Sequence, residues 1–170
     1  MRISKRGEYG LRAMIRLAQR DGQPNPFMQI KVVAERENIP LKFLEAILLQ
    51  LKNAGLLHSQ KGPGGGYALA HPAGQISISS IIRTLDGPLA PVKCVSKMAY
   101  EPCDCPDQDS CGVRLVMADV RTAIVAILDS TSLADLAGRV AQQKQIHPLG
   151  GTYDETGAST PTVVDPGLAD

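Results

Sequence analysis

The run Lys61-Gly62-Pro63-Gly64-Gly65-Gly66 restricts the fold of this chain more than any other stretch of it. Glycine lacks the side chain that stabilises a helix or a strand, and proline lacks the backbone N–H, so neither element can continue through this run. The run separates two β-prone stretches, residues 56–60 and 67–70. The pattern therefore predicts a two-stranded hairpin with a flexible glycine-rich tip.

A glycine-rich loop can also bind nucleotide phosphates, and two sequence patterns test that alternative. A P-loop ends in Gly-Lys-Ser/Thr, whereas Gly66 is followed by Tyr67 and Ala68. The dinucleotide-binding pattern that starts at Gly62 would need a third glycine where Tyr67 stands. The run also precedes a strand, so no helix N-terminus is available to hold a phosphate. Both patterns are absent, and the hairpin interpretation stands.

Helical patterns lie on both sides of the hairpin. Apolar residues recur at helical spacing in six segments, which are residues 4–19, 29–37, 41–54, 79–86, 113–129 and 132–140. Ser4 is a suitable N-cap for the first, and Gly55 a suitable C-cap glycine for the third. The predicted fold class is mainly α with a small β-hairpin. Paired helices followed by a hairpin are the order of a winged helix-turn-helix domain.

The helix predicted over residues 113–129 has an apolar stripe that is broader than a small domain needs. The stripe contains Val113, Val116, Met117, Val120, Ala123, Ile124, Ile127 and Leu128. Such a helix either packs against its twin in a homodimer or completes the core of its own domain. The predicted organisation is a DNA-binding domain at 1–87, a cysteine-rich loop at 88–112, a dimerisation helix and short helix at 113–141, and a disordered tail at 142–170.

The net charge of +1 conceals an asymmetry between the two parts of the chain. Residues 1–72 contain 11 Lys and Arg against 5 Asp and Glu, a net charge of +6, whereas residues 73–170 contain 7 against 12, a net charge of −5. A basic amino-terminal part favours a polyanionic partner such as double-stranded DNA, although solvated faces can also differ in charge by chance.

The candidate DNA contacts lie on the second helix of the pair and on the hairpin tip. On the helix, Glu45 could accept from a cytosine amino group, and lysines suit phosphates or guanine. At the tip, glycines allow the backbone to approach DNA closely. The predicted DNA-binding residues are Lys42, Glu45, Gln50, Lys52, Lys61, Gly64 and Gly65.

All four cysteines, Cys94, Cys103, Cys105 and Cys111, lie within 18 residues of a chain of 170. No secretory signal or membrane-spanning run is evident, so a cytoplasmic location is expected, where clustered thiols bind metal more often than they form disulfides. Four thiols could hold a tetrahedral zinc ion, but zinc sites usually pair cysteines two to four residues apart. The three histidines, His58, His71 and His147, are dispersed. An enzyme with a small organic substrate is therefore not expected.

The sequence resembles the IscR/NsrR family of bacterial winged-helix regulators over residues 1–138. The matching motifs are Met1-Arg2 to Glu8-Tyr9, Phe43-Leu44-Glu45, Leu51-Lys52-Asn53-Ala54-Gly55-Leu56 and Lys61-Gly62-Pro63-Gly64-Gly65-Gly66-Tyr67. The spaced cysteines before a long final helix complete the resemblance. It implies a homodimer that binds operator DNA through the winged domains. It also implies an iron–sulfur cluster in the cysteine loop of many members, while others function without one.

The resemblance implies a ligand set for such a cluster, of type 2Fe-2S or 4Fe-4S. Cys105 and Cys111 have the family's spacing, and Cys94 takes the place of the first ligand at a longer separation than in cluster-binding members. Where one branch of the family has a histidine ligand, this chain has Arg114, so the fourth ligand is either Cys103 or Glu8 of the partner subunit. A ligand that is not a thiolate or that comes from the partner subunit would make the cluster labile, as suits a sensor of iron, redox state or nitric oxide.

Three functions remain open from the sequence. The first is a DNA-binding regulator whose operator affinity is set by an iron–sulfur cluster. The second is a cluster-free regulator of sulfur metabolism that depends on thiols or zinc. The third is a metal-carrying interaction module that uses its basic face for a protein partner.

Overall fold

A computed structural model describes residues 3–146 of the chain. The helices are α1 Lys5–Ala18, α2 Ile30–Glu37, α3 Leu41–Asn53, α4 Ile78–Asp86, α5 Gly112–Ser130 and α6 Leu133–Ile146, and the strands are β1 Leu57–Gln60 and β2 Gly66–Leu69. The predicted fold class, a winged helix-turn-helix domain with a long helix after it, is confirmed. Ser4 caps α1 as predicted, because its side chain accepts a hydrogen bond from the N–H of Gly7.

Two glycines allow α1 to pack closely against α4. A side chain at Gly10 would overlap Leu85, and a Cβ at Gly7 would lie 2.5 Å from a carboxylate oxygen of Asp86. Asp86 in turn accepts from the N–H of Ser4 at 2.8 Å and from its hydroxyl. The two glycines therefore leave room on this face of α1 for α4 to pack closely against it.

The core lies where α1, α3 and α4 meet. Its fully buried members are apolar and recur at helical spacing, and the largest are Met14, Leu17, Leu44, Ile47, Leu48, Leu51, Ile76, Ile81 and Leu133. Four of them come from α3, so the apolar face of this helix is fixed in the interior. The opposite face of α3 is thereby directed to solvent.

The wing, defined here as residues 57–69, is a hairpin in which Leu57 pairs with Leu69 and Gln60 with Gly66. A side chain at Gly65 would overlap the carbonyl of Gln60, and one at Gly66, whose φ is 147°, would overlap the carbonyl of Met28. Met28 and Tyr67 exchange backbone hydrogen bonds of 2.9 Å. The glycines therefore allow the hairpin to lie against the segment that leads into α2.

The junction between α5 and α6 is attached to the segment before α4. The N–H of Ile78 donates to the carbonyl of Thr131 at 3.0 Å, and the N–H of Leu133 donates to that of Ile76 at 2.8 Å. Leu133 is fully buried. The carboxyl end of α5 is thus held on the winged domain.

The last helix is longer than predicted. It extends to Ile146, so the start of the disordered tail at residue 142 was wrong, because residues 139–146 continue the helical hydrogen bonding of α6. The remainder of that prediction, residues 147–170, lies outside the described residues. The chain separates into two compact units, Met1–Gly138 and Arg139–Asp170, and of the second the structure describes only the end of α6. Within the described part, no helix is both long and apolar enough to cross a membrane.

Candidate nucleic-acid interface and thiol site

The solvent-directed face of α3 contains exposed side chains of both charges. Lys42, Glu45 and Lys52 lie on it as predicted, and all three are exposed. Within residues 3–146, none of these side chains forms a hydrogen bond or an ion pair. Charged groups that are free and aligned on one helix are available to contact bases and phosphates.

Two further residues on this face were missed by the sequence reasoning. Leu49 is 52% exposed, and Ala46 lies one helical turn before it and is also exposed. The signal was present in the sequence, because counting 3.6 residues per turn from Lys42 places position 49 almost directly beneath it. Asn53 at the end of the helix is exposed as well, and we define the reading face as Lys42, Glu45, Ala46, Leu49, Lys52 and Asn53.

Gln50, predicted as a DNA contact, is half-buried and is engaged within the domain. Its side-chain amide donates to the carbonyl of Thr84 at 2.5 Å. The residue four positions after Thr84 is Pro88, which has no N–H to offer that carbonyl. Gln50 therefore satisfies an otherwise unpaired carbonyl at the end of α4.

The wing places its tip beside the start of α2. Of the predicted DNA contacts at the tip, Lys61 and Gly64 are exposed, whereas Gly65 is buried against the backbone of Gln60. Gln29 donates to the carbonyl of Pro63 at 3.1 Å. An open cleft of about 350 Å³ lies between tip and helix, and its lining includes Arg20, Asn25, Gln29, Arg36, Pro63 and Gly64. Its two arginines extend the basic surface beyond the residues found from sequence.

The four cysteines are neighbours, as their clustering suggested, and we refer to them as the thiol row. The Sγ atoms of Cys105 and Cys111 are 3.6 Å apart. The Cys103 thiol interacts with those of Cys94 and Cys105, which links all four. All are half-buried and none forms a disulfide. The row therefore extends from the loop to Cys111, which occupies the N-cap position of α5.

Electrostatic interactions differ along the thiol row. The backbone N–H of Arg114 and the Cys105 thiol lower the pKa of Cys111. The Cys105 thiol also lowers the pKa of Cys103. Hydrogen bonds with Cys103 and Cys111 raise the pKa of Cys105 to about 12. Burial and the adjacent Cys103 raise the pKa of Cys94. The environments of the thiols are therefore unequal, with the pKa lowered at Cys103 and Cys111 and raised at Cys94 and Cys105.

The loop around the thiol row is held by polar contacts of its own. Gln108 donates to the carbonyl of Cys103 at 2.8 Å, and Arg114 donates to the carbonyl of Gln108 at 3.1 Å. Asp107 accepts from the backbone N–H groups of Asp109 and Ser110. Arg114, considered from sequence only as a missing ligand, therefore braces the loop against α5.

Glu8, the alternative fourth ligand, is engaged elsewhere in the chain. Its carboxylate lies 2.8 Å from the Lys5 ammonium and 3.6 Å from the Arg12 guanidinium. The hydrogen bond from Lys5 lowers the pKa of Glu8. Among the residues described, no three His, Cys, Asp or Glu side chains already converge as a metal site. The chemistry of the thiol row fits a thiophilic metal centre, and the loop would have to close around it.

The helix that follows the thiol row leaves much of its apolar surface uncovered. Val113, Val116 and Ile127 are 61%, 51% and 63% exposed, and Val120 is 39% exposed. At its other end Asp129 forms an ion pair with Arg83 of α4 at 3.0 Å. The helix therefore connects the loop to the winged domain while presenting an apolar face.

A sequence profile and a sequence relative both match the same family of regulators. The sequence profile described as "Rrf2: Iron-dependent Transcriptional regulator" matches residues 3–139. The chain is 39% identical over 136 residues to a "Putative HTH-type transcriptional regulator rrf2-like" of Rhodobacter capsulatus, a match that covers 79% of this chain and 91% of that one.

Solved structures agree with the sequence match. The fold is similar to that of CymR from B. subtilis, described as the global cysteine regulator, with a TM-score of 0.69, 34% identity, and coverage of 82% of this chain and 98% of the other. It is also similar to IscR of T. potens, with a TM-score of 0.66, 29% identity, and coverage of 85% and 91%. The matches therefore cover most of the length of both solved chains.

Proposed function

Because this chain belongs to the Rrf2 family of helix-turn-helix transcriptional regulators, we propose that it acts as a homodimer in the cytoplasm and binds operator DNA with an affinity set by an iron–sulfur cluster in the thiol row. The observation that carries the proposal is the position of the thiols. They end at the N-cap of α5, the helix with the uncovered apolar face.

DNA binding is supported by the free charges of α3 and the basic surface around the wing. The exposed face of α3 fits the major groove, which is about 12 Å wide, and the wing with Lys61 fits a neighbouring minor groove. Arg20 and Arg36 beside the wing add cations suited to phosphates. Glu45 is suited to base readout, since a carboxylate is repelled by phosphates but accepts from a cytosine amino group.

Homodimerisation is supported by the spacing of the uncovered residues on α5. Val113, Val116, Val120, Ala123 and Ile127 are exposed and recur at alternating intervals of three and four residues. This spacing is that of a helix–helix seam. The seam lies beside both the winged domain and the thiol row, so a second copy would cover it and complete the regulator. Val116→Lys should reduce the mass measured by sedimentation to that of one chain, whereas Arg121→Ala should not.

A cluster is supported by the donor set. Four neighbouring thiols repel one another when ionised, and iron provides the positive charge that offsets this. We propose Cys94, Cys103, Cys105 and Cys111 as ligands in preference to Glu8, which is paired with Lys5 and Arg12. When bound, the cluster would supply a redox-sensitive bond between the loop and the start of α5. The chain's own contribution is to orient the thiols and brace the loop through Arg114.

A route from the thiol row to the reading face is available through α5 and α4. Asp129 of α5 pairs with Arg83, and the next residue, Thr84, accepts from Gln50 of α3. Closure of the loop would shift α5 and, through these bonds, the spacing of the two reading faces in the proposed homodimer. If only the cluster-bound form places the two reading faces one helical turn of DNA apart, the cluster controls operator affinity.

A second function is favoured by one observation, the similarity to CymR, which is described as a cysteine regulator. In that case the thiol row would act without a cluster, or with zinc. Iron, sulfide and zinc analysis after anaerobic purification separates the two. A coloured protein with iron and sulfide supports the proposal, and a colourless dimer that still binds DNA supports the alternative.

The DNA-binding part of the proposal is tested by selecting sites from random duplex DNA with the full chain. Glu45→Ala should still bind but with relaxed preference at one base pair, because a base contact is lost. Failure of the wild-type protein to select any duplex sequence would leave the metal-carrying interaction module as the better account.

A further inference from the structure

The reading face of α3 contains an apolar pair between its charges. Leu49 is 52% exposed and is absent from the partly buried apolar residues that pack against the core. Among the described residues between 4 and 88, it is the only large hydrophobic side chain exposed to this degree. The other large apolar side chains of this range are buried or partly buried, whereas Leu49 is exposed to solvent.

The position of Leu49 on the helix indicates what would cover it. Lys42 precedes it by seven residues, which is about two turns, while Glu45 and Ala46 precede it by four and three. These spacings place Leu49 among the residues that face the DNA in the proposed complex. The free charges of Lys42 and Glu45 flank it, so a purely apolar protein partner would have to bury unpaired charges.

The major groove offers one apolar group, which is the C5-methyl of thymine. A leucine and an alanine one turn apart can contact that methyl while the lysine on the same face contacts a phosphate or guanine. We propose that Leu49, together with Ala46, makes this chain prefer thymine at one or two positions of each half-site. The inference rests on the proposed DNA-binding function and adds a specificity-determining pair to it.

The contact also makes a quantitative prediction about base substitutions. Deoxyuridine differs from thymidine only by the missing methyl, so it keeps base pairing and every hydrogen-bonding group in the groove. Loss of one buried methyl group weakens binding by about fourfold. Because Leu49 is exposed in the free protein, its replacement leaves the core intact.

The test uses the full chain and a duplex that the wild-type protein has selected from random DNA. Each thymine of a half-site is replaced in turn by deoxyuridine, and Kd is measured at one salt concentration for the wild-type protein and for Leu49→Ala. The expected result is a loss of about fourfold at one or two positions for the wild-type protein and almost none for Leu49→Ala. A Leu49→Met variant should retain the preference, since it keeps an apolar side chain of similar size.

Two results would overturn the inference. In the first, no single deoxyuridine changes the affinity of the wild-type protein. In the second, Leu49→Ala shows the same losses as the wild-type protein. Both leave the proposed function intact, because the duplex is still bound. If instead the wild-type protein selects no duplex at all, the proposed function fails and this inference fails with it.

Discussion

The side-chain amide of Gln50 donates a hydrogen bond of 2.5 Å to the backbone carbonyl of Thr84 and so ties α3 to the end of α4. Pro88 leaves that carbonyl without a helical partner, which makes the glutamine its replacement. The bond matters for function because α4 also carries Arg83, the residue that pairs with α5. Gln50 is thus part of the connection between α3 and α4.

Replacing Gln50 by Leu should destabilise the domain. The variant leaves the partly buried carbonyl of Thr84 unpaired, which costs about 1–3 kcal/mol. Urea unfolding followed by circular dichroism measures the change. Lys52→Ala, an exposed change on the same helix, is the control and should stay within about 0.5 kcal/mol. An unchanged unfolding midpoint for the Gln50 variant would show that the hydrogen bond has no role in stability.

Replacing Gly10 by Ala should also destabilise the fold, because the added methyl would overlap Leu85 at the contact of α1 with α4. Overpacking of this kind costs about 1–3 kcal/mol. Gly138→Ala is a matched control, since Gly138 lies in a helix with open space around it and should gain up to about 1 kcal/mol from helix propensity. Thermal unfolding of both variants should shift in opposite directions.

The link between α4 and α5 should weaken in acid. The hydroxyl of Ser79 and the guanidinium of Arg83 lower the pKa of Asp129 below its ordinary value of 3.8. A carboxyl with a lowered pKa in the folded state stabilises the fold above the unfolded pKa, and this contribution is lost as the pH falls through the folded pKa. Because its side chain is 47% exposed, the effect is below about 1 kcal/mol.

Asp129→Asn should therefore flatten the pH dependence of the unfolding free energy below about pH 4. Asp119→Asn removes the same charge from an exposed position on the same helix and is the control. If both variants followed the wild-type curve, the ion pair with Arg83 would not contribute to folding.

The wing should contribute to DNA affinity through charge. Lys61→Ala should weaken binding to all duplex sequences alike and reduce the slope of log K against log salt by about one. Lys97→Ala, which removes an exposed lysine from the cysteine loop, should leave the slope unchanged. A Lys61 variant with the wild-type slope would place the wing tip away from the phosphates.

Cys103 and Glu8 can be separated as cluster ligands. Cys103→Ser should lower the iron content and change the visible absorption of the anaerobically purified protein, because Cys103 lies within the thiol row. Glu8→Gln should retain both, because the carboxylate is held by Lys5. The opposite pattern would assign the fourth position to Glu8 of the partner subunit.

Most of the fold could be predicted from the sequence because its signals are local. Ser4, Gly55 and the glycine run mark where elements begin and end, and helical periodicity shows which side of each helix is buried. The grouping of the thiols followed from their spacing. Gln50 could not be placed from local pattern alone, because its partner is a carbonyl 34 residues away. Leu49 was missed for a different reason, because only charged, polar and glycine residues were considered as DNA contacts.

The central claim is that the state of the thiol row sets the affinity for operator DNA. Its most direct test is the Kd for a selected duplex, measured at one salt concentration for the protein purified anaerobically with its cluster and for the same protein after the cluster is removed. The account predicts that the two values differ by about tenfold or more. Equal affinity of the two forms would contradict it.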